Sequence, residues 1–182
     1  MGIAFAFAPF IAFALVERAL GSFPGLLAGA FVSAVLLARD LASGRRPKII
    51  EAGSALLFGG LALYAGLTGT EFSIMAGRLA VDGGLLLIML ISIAVGAPFT
   101  LQYAREQVPA EFWDSPAFKQ TNLVITWIWA LAMAVIIAAD LLLLLRPDVP
   151  RQVGILAIVA AFVGAVKFTG WYPERARTAG LG

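Results

Sequence analysis

An all-α polytopic membrane bundle of about six transmembrane helices is the fold class this sequence predicts, and three observations carry it. Apolar residues make up 61% of the chain and charged residues only 13%, about half the usual share of charge. The apolar residues gather into runs of about twenty, the length that crosses a bilayer core. The lysines and arginines concentrate in alternate connections between those runs. A soluble fold of 182 residues could not hide that much apolar surface, so lipid is the expected solvent.

The first span is read over 3–20, IAFAFAPFIAFALVERAL. It lacks the basic leader of a signal peptide and is expected to stay as a membrane helix, bent at Pro9. Pro24 suits a first helical turn and opens the second span, 24–39. The third span covers 49–68; the short GTEFS loop follows, and the fourth covers 76–98. Ser115 reads as an N-cap with Pro116 in the first helical position, which starts the fifth span, 116–145. A turn through Arg146, Pro147, Asp148, Pro150 and Arg151 leads to the sixth span, 153–171, and a small polar tail. The whole of 1–182 is expected to form a single integral membrane domain, with 99–115 as an amphipathic interfacial loop between the fourth and fifth spans.

Residues 39–48, RDLASGRRPK, set Arg39, Arg45, Arg46 and Lys48 against Asp40 alone, so the positive-inside rule puts this loop in the cytoplasm. Six spans then place both termini and the central loop on the same side. Of the 13 lysines and arginines, only Arg18, Arg78, Arg146 and Arg151 fall on the far side, a bias that agrees with this arrangement. Five spans would put the central loop and the tail on opposite sides.

Absences narrow the function. There is no cysteine, hence no disulfide, thiolate metal site or iron–sulfur cluster. There is no histidine, hence no histidine-ligated haem or chlorophyll and no imidazole base. A net charge of +2 without a basic stripe argues against a nucleic-acid partner. No nucleophile sits beside an evident base, and no glycine-rich phosphate loop or metal-ligand spacing occurs. The chain is expected to be no enzyme and to need no cofactor; bound membrane lipids are compatible with it.

Ionisable residues inside lipid are costly, so each needs a reason. Near the outer ends of the spans stand Glu17, Arg18, Arg78, Asp82 and Asp140. Arg78 and Asp82 are four apart and share a helix face. Asp140 lies six residues before Arg146, about 9 Å deeper along the helix axis, and must find its partner on another span. Arg18, Arg78, Asp82 and Asp140 are therefore read as an intramembrane ion network joining spans one, four and five. Its plain role is to set helix register, and an ion path is the alternative. Lys167, near Trp171 and Tyr172, is expected to extend its ammonium to the headgroups. Gly21, Gly25 and Gly29 recur every four residues and are read as a helix-packing seam.

The one long polar interval is 97–120, APFTLQYAREQVPAEFWDSPAFKQ. Phe99–Val108 is expected to be a short helix, with Arg105 and Glu106 exposed and Phe99 and Tyr103 turned to the membrane. Phe112 and Trp113 suit the headgroup layer. Tyr103, Arg105, Glu106, Phe112 and Trp113 are thus the candidate surface for a protein partner, with plain anchoring as the simpler role.

The order of these features resembles the intracellular septation protein A family of small bacterial inner-membrane proteins. FAPFIAF in the first span, the basic loop after the second, FGGLALY in the third, GGLLL in the fourth, PFTLQYARE and FWDSPAFKQTNLVITWIWA carry the resemblance over nearly the whole chain. It implies a multi-pass protein of the bacterial inner membrane, linked to septation and envelope integrity through contacts with other membrane proteins. It supplies no catalytic residues. The more acidic central loop and Asp140 depart from the better-known pattern of that family. Two other functions fit the composition: an accessory subunit of a larger energy-converting membrane complex, and a small transporter.

Overall fold

The computed structural model describes residues 3–146 and 148–178. Pro147 of the expected 146–151 turn and the end of the tail, 179–182, lie outside the described residues. A 3-10 turn, Ile3–Phe7, leads into α1 (Ala8–Leu20). Then come α2 (Ser22–Ala42), α3 (Ile49–Thr68), α4 (Ile74–Ala94) and the short α5 (Phe99–Ala104). A 3-10 turn at Ala110–Phe112 precedes α6 (Pro116–Leu145) and α7 (Arg151–Thr178). No strand occurs among the described residues. Five helices, α2, α3, α4, α6 and α7, are long and apolar enough to cross a membrane, which marks a multi-pass membrane protein. The run expected as the first span is divided. Its α-helical part has 13 residues, about 20 Å, and the 3-10 turn precedes it.

Local chemistry explains where the helices begin and end. Pro9 sits in the first turn of α1, where a missing N–H costs nothing, so it starts the α-helix rather than bending it. Ser115 occupies the N-cap of α6 and accepts the Phe118 N–H at 3.2 Å, with Pro116 behind it, as the sequence indicates. Two helices stop in the same way. After α2, Gly44 adopts a left-handed φ of 68° while the Arg45 N–H returns to the Asp40 carbonyl at 2.9 Å. After α4, Gly96 adopts a φ of 70° and the Ala97 N–H returns to the Ser92 carbonyl at 2.9 Å. Both are Schellman turns, and glycine carries the positive φ without steric cost. Hence α2 outruns its expected end at Arg39, and α4 stops short of residue 98. At the other end of the chain, α7 continues through Pro173 rather than stopping at 171.

The chain forms two compact units, Met1–Ile88 and Met89–Gly182, divided within α4. In the first, α2 packs against both α1 and α3. The core gathers Phe13, Leu26, Phe58, Ala62 and Val81, with the Phe58 ring 5.1 Å from Phe10 and 5.6 Å from Phe13. In the second, α6 packs against α5 and α7. Trp129 is buried there, edge-on to Phe162 at 5.6 Å, and its indole N–H donates to Thr169 Oγ1 at 3.0 Å. The Thr169 hydroxyl in turn donates to the Ala165 carbonyl at 2.8 Å, so the one polar edge of the indole is satisfied inside the helix pair.

The three glycines read as one seam have three different roles. A Cβ on Gly25 would stand 2.9 Å from Glu17 Cβ and 3.1 Å from its Cα, so α1 and α2 meet backbone to backbone there. A Cβ on Gly29 would stand 2.5 Å from the Phe58 ring, so this glycine makes room for α3's largest core side chain. Gly21 departs from the seam. Nothing lies within 4 Å of it, and its φ of 96° makes it the turn between α1 and α2. Overpacking a core costs about 1–3 kcal/mol. Gly25→Leu and Gly29→Leu should each lower unfolding stability in detergent by at least that order. Gly60→Leu, on a face with nothing within 4 Å, should leave it unchanged. Thermal melts of the three variants check this.

Candidate functional site

Among the described residues, three groups of polar and charged side chains gather at helix ends. The most buried lies at the α2–α3 connection. Asp40 is fully buried in the last turn of α2. Its Oδ1 accepts from Arg39 Nη2 at 2.9 Å and Nε at 3.2 Å, and Arg45 Nε lies 3.9 Å from the same oxygen. Its Oδ2 accepts from Lys48 Nζ at 2.9 Å. Lys48 is the residue before α3, is itself buried, and also donates to Glu51 Oε1 at 3.3 Å, one turn inside that helix. Two carboxylates and one ammonium that have lost their water are thus held by one another and by two guanidiniums at the rim. Breaking such a set is costly because it strands a buried charge.

The second place joins α1 to α4. Glu17 is buried at 1% exposure and accepts from the Ser22 hydroxyl at 3.0 Å, while Arg78 Nε lies 3.5 Å from its other oxygen. Gly77 permits this approach, because a Cβ there would stand 2.8 Å from Glu17 Oε1. One member of the expected ion network, Arg78, thus lies against a carboxylate outside it. Arg78 goes to Glu17 on another helix, and the neighbouring Arg18 is exposed at the end of α1. Asp82 is half-buried on α4, and Asp140 is buried in the second unit on α6.

The third is the elbow between α4 and α6. The Ser92 hydroxyl donates to the Met89 carbonyl at 2.7 Å and accepts the Phe99 N–H at 3.2 Å, which fixes the start of α5 against the end of α4. Thr100 and Thr126 hydroxyls lie 2.8 Å apart and both reach the Asn122 carbonyl, at 2.7 and 2.9 Å. One hydroxyl donates to that carbonyl and the other to its neighbour, so the pair pins α5 to α6. Phe99 and Tyr103 are buried at 0% and 3% exposure, which corrects the expectation that they face the membrane. The tight Gly96–Pro98 turn folds α5 back on its own unit, and α6 covers it.

Beyond α5 the chain closes on Trp113. Its indole N–H donates to the Val108 carbonyl at 2.9 Å, and the Arg105 guanidinium lies over its ring at 5.4 Å. Arg105 is thus half-buried rather than exposed, whereas Glu106, Glu111 and Phe112 are exposed. Lys119 donates to Asp114 at 2.9 Å and holds that carboxyl below the usual aspartate range. Of the five candidate interface residues, Glu106 and Phe112 face outward, Tyr103 is core, and Arg105 and Trp113 brace one another.

The chain matches no known family, curated protein or solved structure. Among the described residues, no group of three carboxylates is placed to hold a metal ion. Ser22, which has no evident base in the sequence, acquires the Glu17 carboxylate, but both are buried and the hydroxyl proton is spent on the helix joint.

Sequence reasoning missed the Asp40 cluster. Its signal was present: the one acid in a basic interval, followed by Gly44 and by a lysine–glutamate pair three apart. Asp40→Ala removes the acceptor that Arg39 and Lys48 share and should cost about 3–5 kcal/mol in detergent unfolding, while Asp40→Asn, Lys48→Met and Glu51→Gln together should recover much of that loss. Asp114 offers a gentler check. Its folded value is depressed, so the pair with Lys119 is intact above the ordinary aspartate range and dissolves as pH falls through and below it. A carboxyl NMR titration should place Asp114 below about 3.9, and Lys119→Met should raise it towards that value.

Proposed function

We propose that this chain is a non-enzymatic multi-pass protein of the cell envelope that works by presenting the elbow, residues 97–115, to another membrane protein. The observation that carries this reading is the division of labour inside the elbow. Ser92, Thr100, Thr126 and the Trp113–Val108 bond hold its inner side, while Glu111 and Phe112 are left exposed. Contact surfaces built on braced backbone lose little entropy on binding. An exposed aromatic flanked by carboxylates suits a partner with an apolar notch and a basic rim.

The order of sequence motifs supports a septation and envelope-integrity role in the bacterial inner membrane. The distribution of basic residues supports six crossings with the elbow and both termini in the cytoplasm. In that arrangement the run 3–20 makes the first crossing as α1 with the 3-10 turn before it.

A photo-crosslinking side chain at Phe112 or Glu111 should give a discrete protein adduct in native membranes, and one at exposed Leu56 should not. Glu111→Lys should abolish the Phe112 adduct and leave membrane insertion intact. If the adduct persists unchanged after that reversal, the elbow is an anchor and the docking role is wrong.

A further inference from the structure

Arg105 is a half-buried cation that no acid claims among the described residues. It stands at the C-cap of α5. Its Nε is buried and bonds to nothing, while Nη1 and Nη2 carry no bond either and are not buried. Asp114 feels this charge only from a distance, because its own bond goes to Lys119 at 2.9 Å. What holds Arg105 is the ring of Trp113, 5.4 Å away. A π face attracts a guanidinium and leaves its N–H groups unspent. The ring is itself fixed, since the indole N–H donates to the Val108 carbonyl at 2.9 Å. A braced, partly dried guanidinium with unspent donors is a receptor for an oxyanion, and it loses little order on binding one.

The position of this receptor selects the oxyanion. In α6 the stretch 123–145 is apolar but for Thr126 and Asp140, and at about 34 Å it is long enough by itself to cross a bilayer's hydrocarbon core. Lys119, Gln120, Thr121 and Asn122 precede it, at headgroup depth. The elbow is pinned to those same turns, by Thr100 on the Asn122 carbonyl and by Asp114 on Lys119. The oxyanions of a headgroup layer are lipid phosphates. Charge then selects the lipid. Residues 99–120 hold two cations, Arg105 and Lys119, and three acids, Glu106, Glu111 and Asp114. A purely anionic headgroup meets a net repulsion here, and a zwitterionic one does not. Asp114 is 92% exposed and spends only Oδ1 on Lys119, which leaves Oδ2 for an ammonium. A primary ammonium donates hydrogen bonds to a carboxylate, whereas a trimethylated one has no N–H to give.

We propose that Arg105, braced on Trp113, binds the phosphate of phosphatidylethanolamine, with Asp114 receiving its ammonium. The site shares the elbow with the docking face and needs no protein partner.

The test offers the full chain in detergent equal amounts of phosphatidylethanolamine, phosphatidylglycerol and phosphatidylcholine, and reads the retained lipid by native mass spectrometry. Phosphatidylethanolamine should be retained first; preference for phosphatidylglycerol, or equal retention of all three, overturns the proposal. Arg105→Gln should weaken retention about tenfold, the order expected for losing a charged hydrogen bond. Arg151→Gln, which removes the same charge from the start of α7, should not. Arg105→Lys keeps the charge and loses the fork, so it should retain the lipid several-fold less well; it decides the matter if Arg105→Gln fails to fold. Unchanged affinity in the Arg105 variants overturns the site. Asp114→Asn frees Lys119 and removes the ammonium's acceptor, so it should move the preference to phosphatidylglycerol. A preference that stays with phosphatidylethanolamine overturns the part given to Asp114. Millimolar inorganic phosphate should leave the lipid bound. Displacement by free phosphate would assign the site to that ion and overturn the lipid.

Discussion

A carboxylate that has lost its water must be met by cations or hydrogen-bond donors, and the first unit is organised by meeting that demand twice on one helix. At the start of α2, Glu17 takes the Ser22 hydroxyl and lies against Gly25. Near its end, Asp40 takes Arg39 and Lys48. Eighteen residues separate Ser22 from Asp40, about 27 Å of helix, close to the thickness of a bilayer's hydrocarbon core. The buried charges therefore lie where water and headgroups are within reach, and the middle of α2 is left to Leu26, Gly29 and Ser33. Between the two pins, Gly29 receives the Phe58 ring. Electrostatics fixes the ends and van der Waals packing fixes the centre, in line with a solvent that gives apolar helices no reason of its own to associate.

Apart from the buried Asp140, the second unit joins its helices with neutral groups. Hydroxyl–carbonyl bonds from Thr100, Thr126 and Thr169 and the indole of Trp129 join its helices. Such bonds carry no desolvated charge, so each is individually modest and none creates a heavy penalty if it opens. The two units thus differ in what a single substitution does to them. The first contains sites where removing one partner strands an ion, and the second contains sites where a lost bond leaves a hydroxyl that can turn to its own helix carbonyl.

Much of the secondary structure is legible in the residues, because apolar run length, Ser115–Pro116 and the Gly–Pro punctuation are local signals. Some partners of charged groups are not local. Arg78 stands four residues from Asp82, and helix spacing favours that pair, yet a glutamate on α1 lies beside it because Gly77 lets the two helices approach. Asp40 reads as a minor exception in a basic loop, since composition cannot show that the helix runs past it and turns it inward. Phe99 and Tyr103 have the spacing of a membrane-facing stripe. Only the turn at Gly96 and Pro98 decides that the stripe is covered by α6.

The two Schellman turns share a detail that bears on how the chain is made. In each, the residue whose carbonyl closes the old helix uses its side chain to open the next: Asp40 holds Lys48 before α3, and Ser92 holds the Phe99 amide of α5. Both joints close over eight residues or fewer. Contacts this local carry almost no loop-closure cost and form on the fastest timescales of chain folding. Each bend can therefore set as soon as its own segment has left the ribosome, before the following helix is complete. A nascent chain whose corners are formed in advance delivers paired helices to the bilayer rather than single ones, and the charges at Asp40 enter it already neutralised.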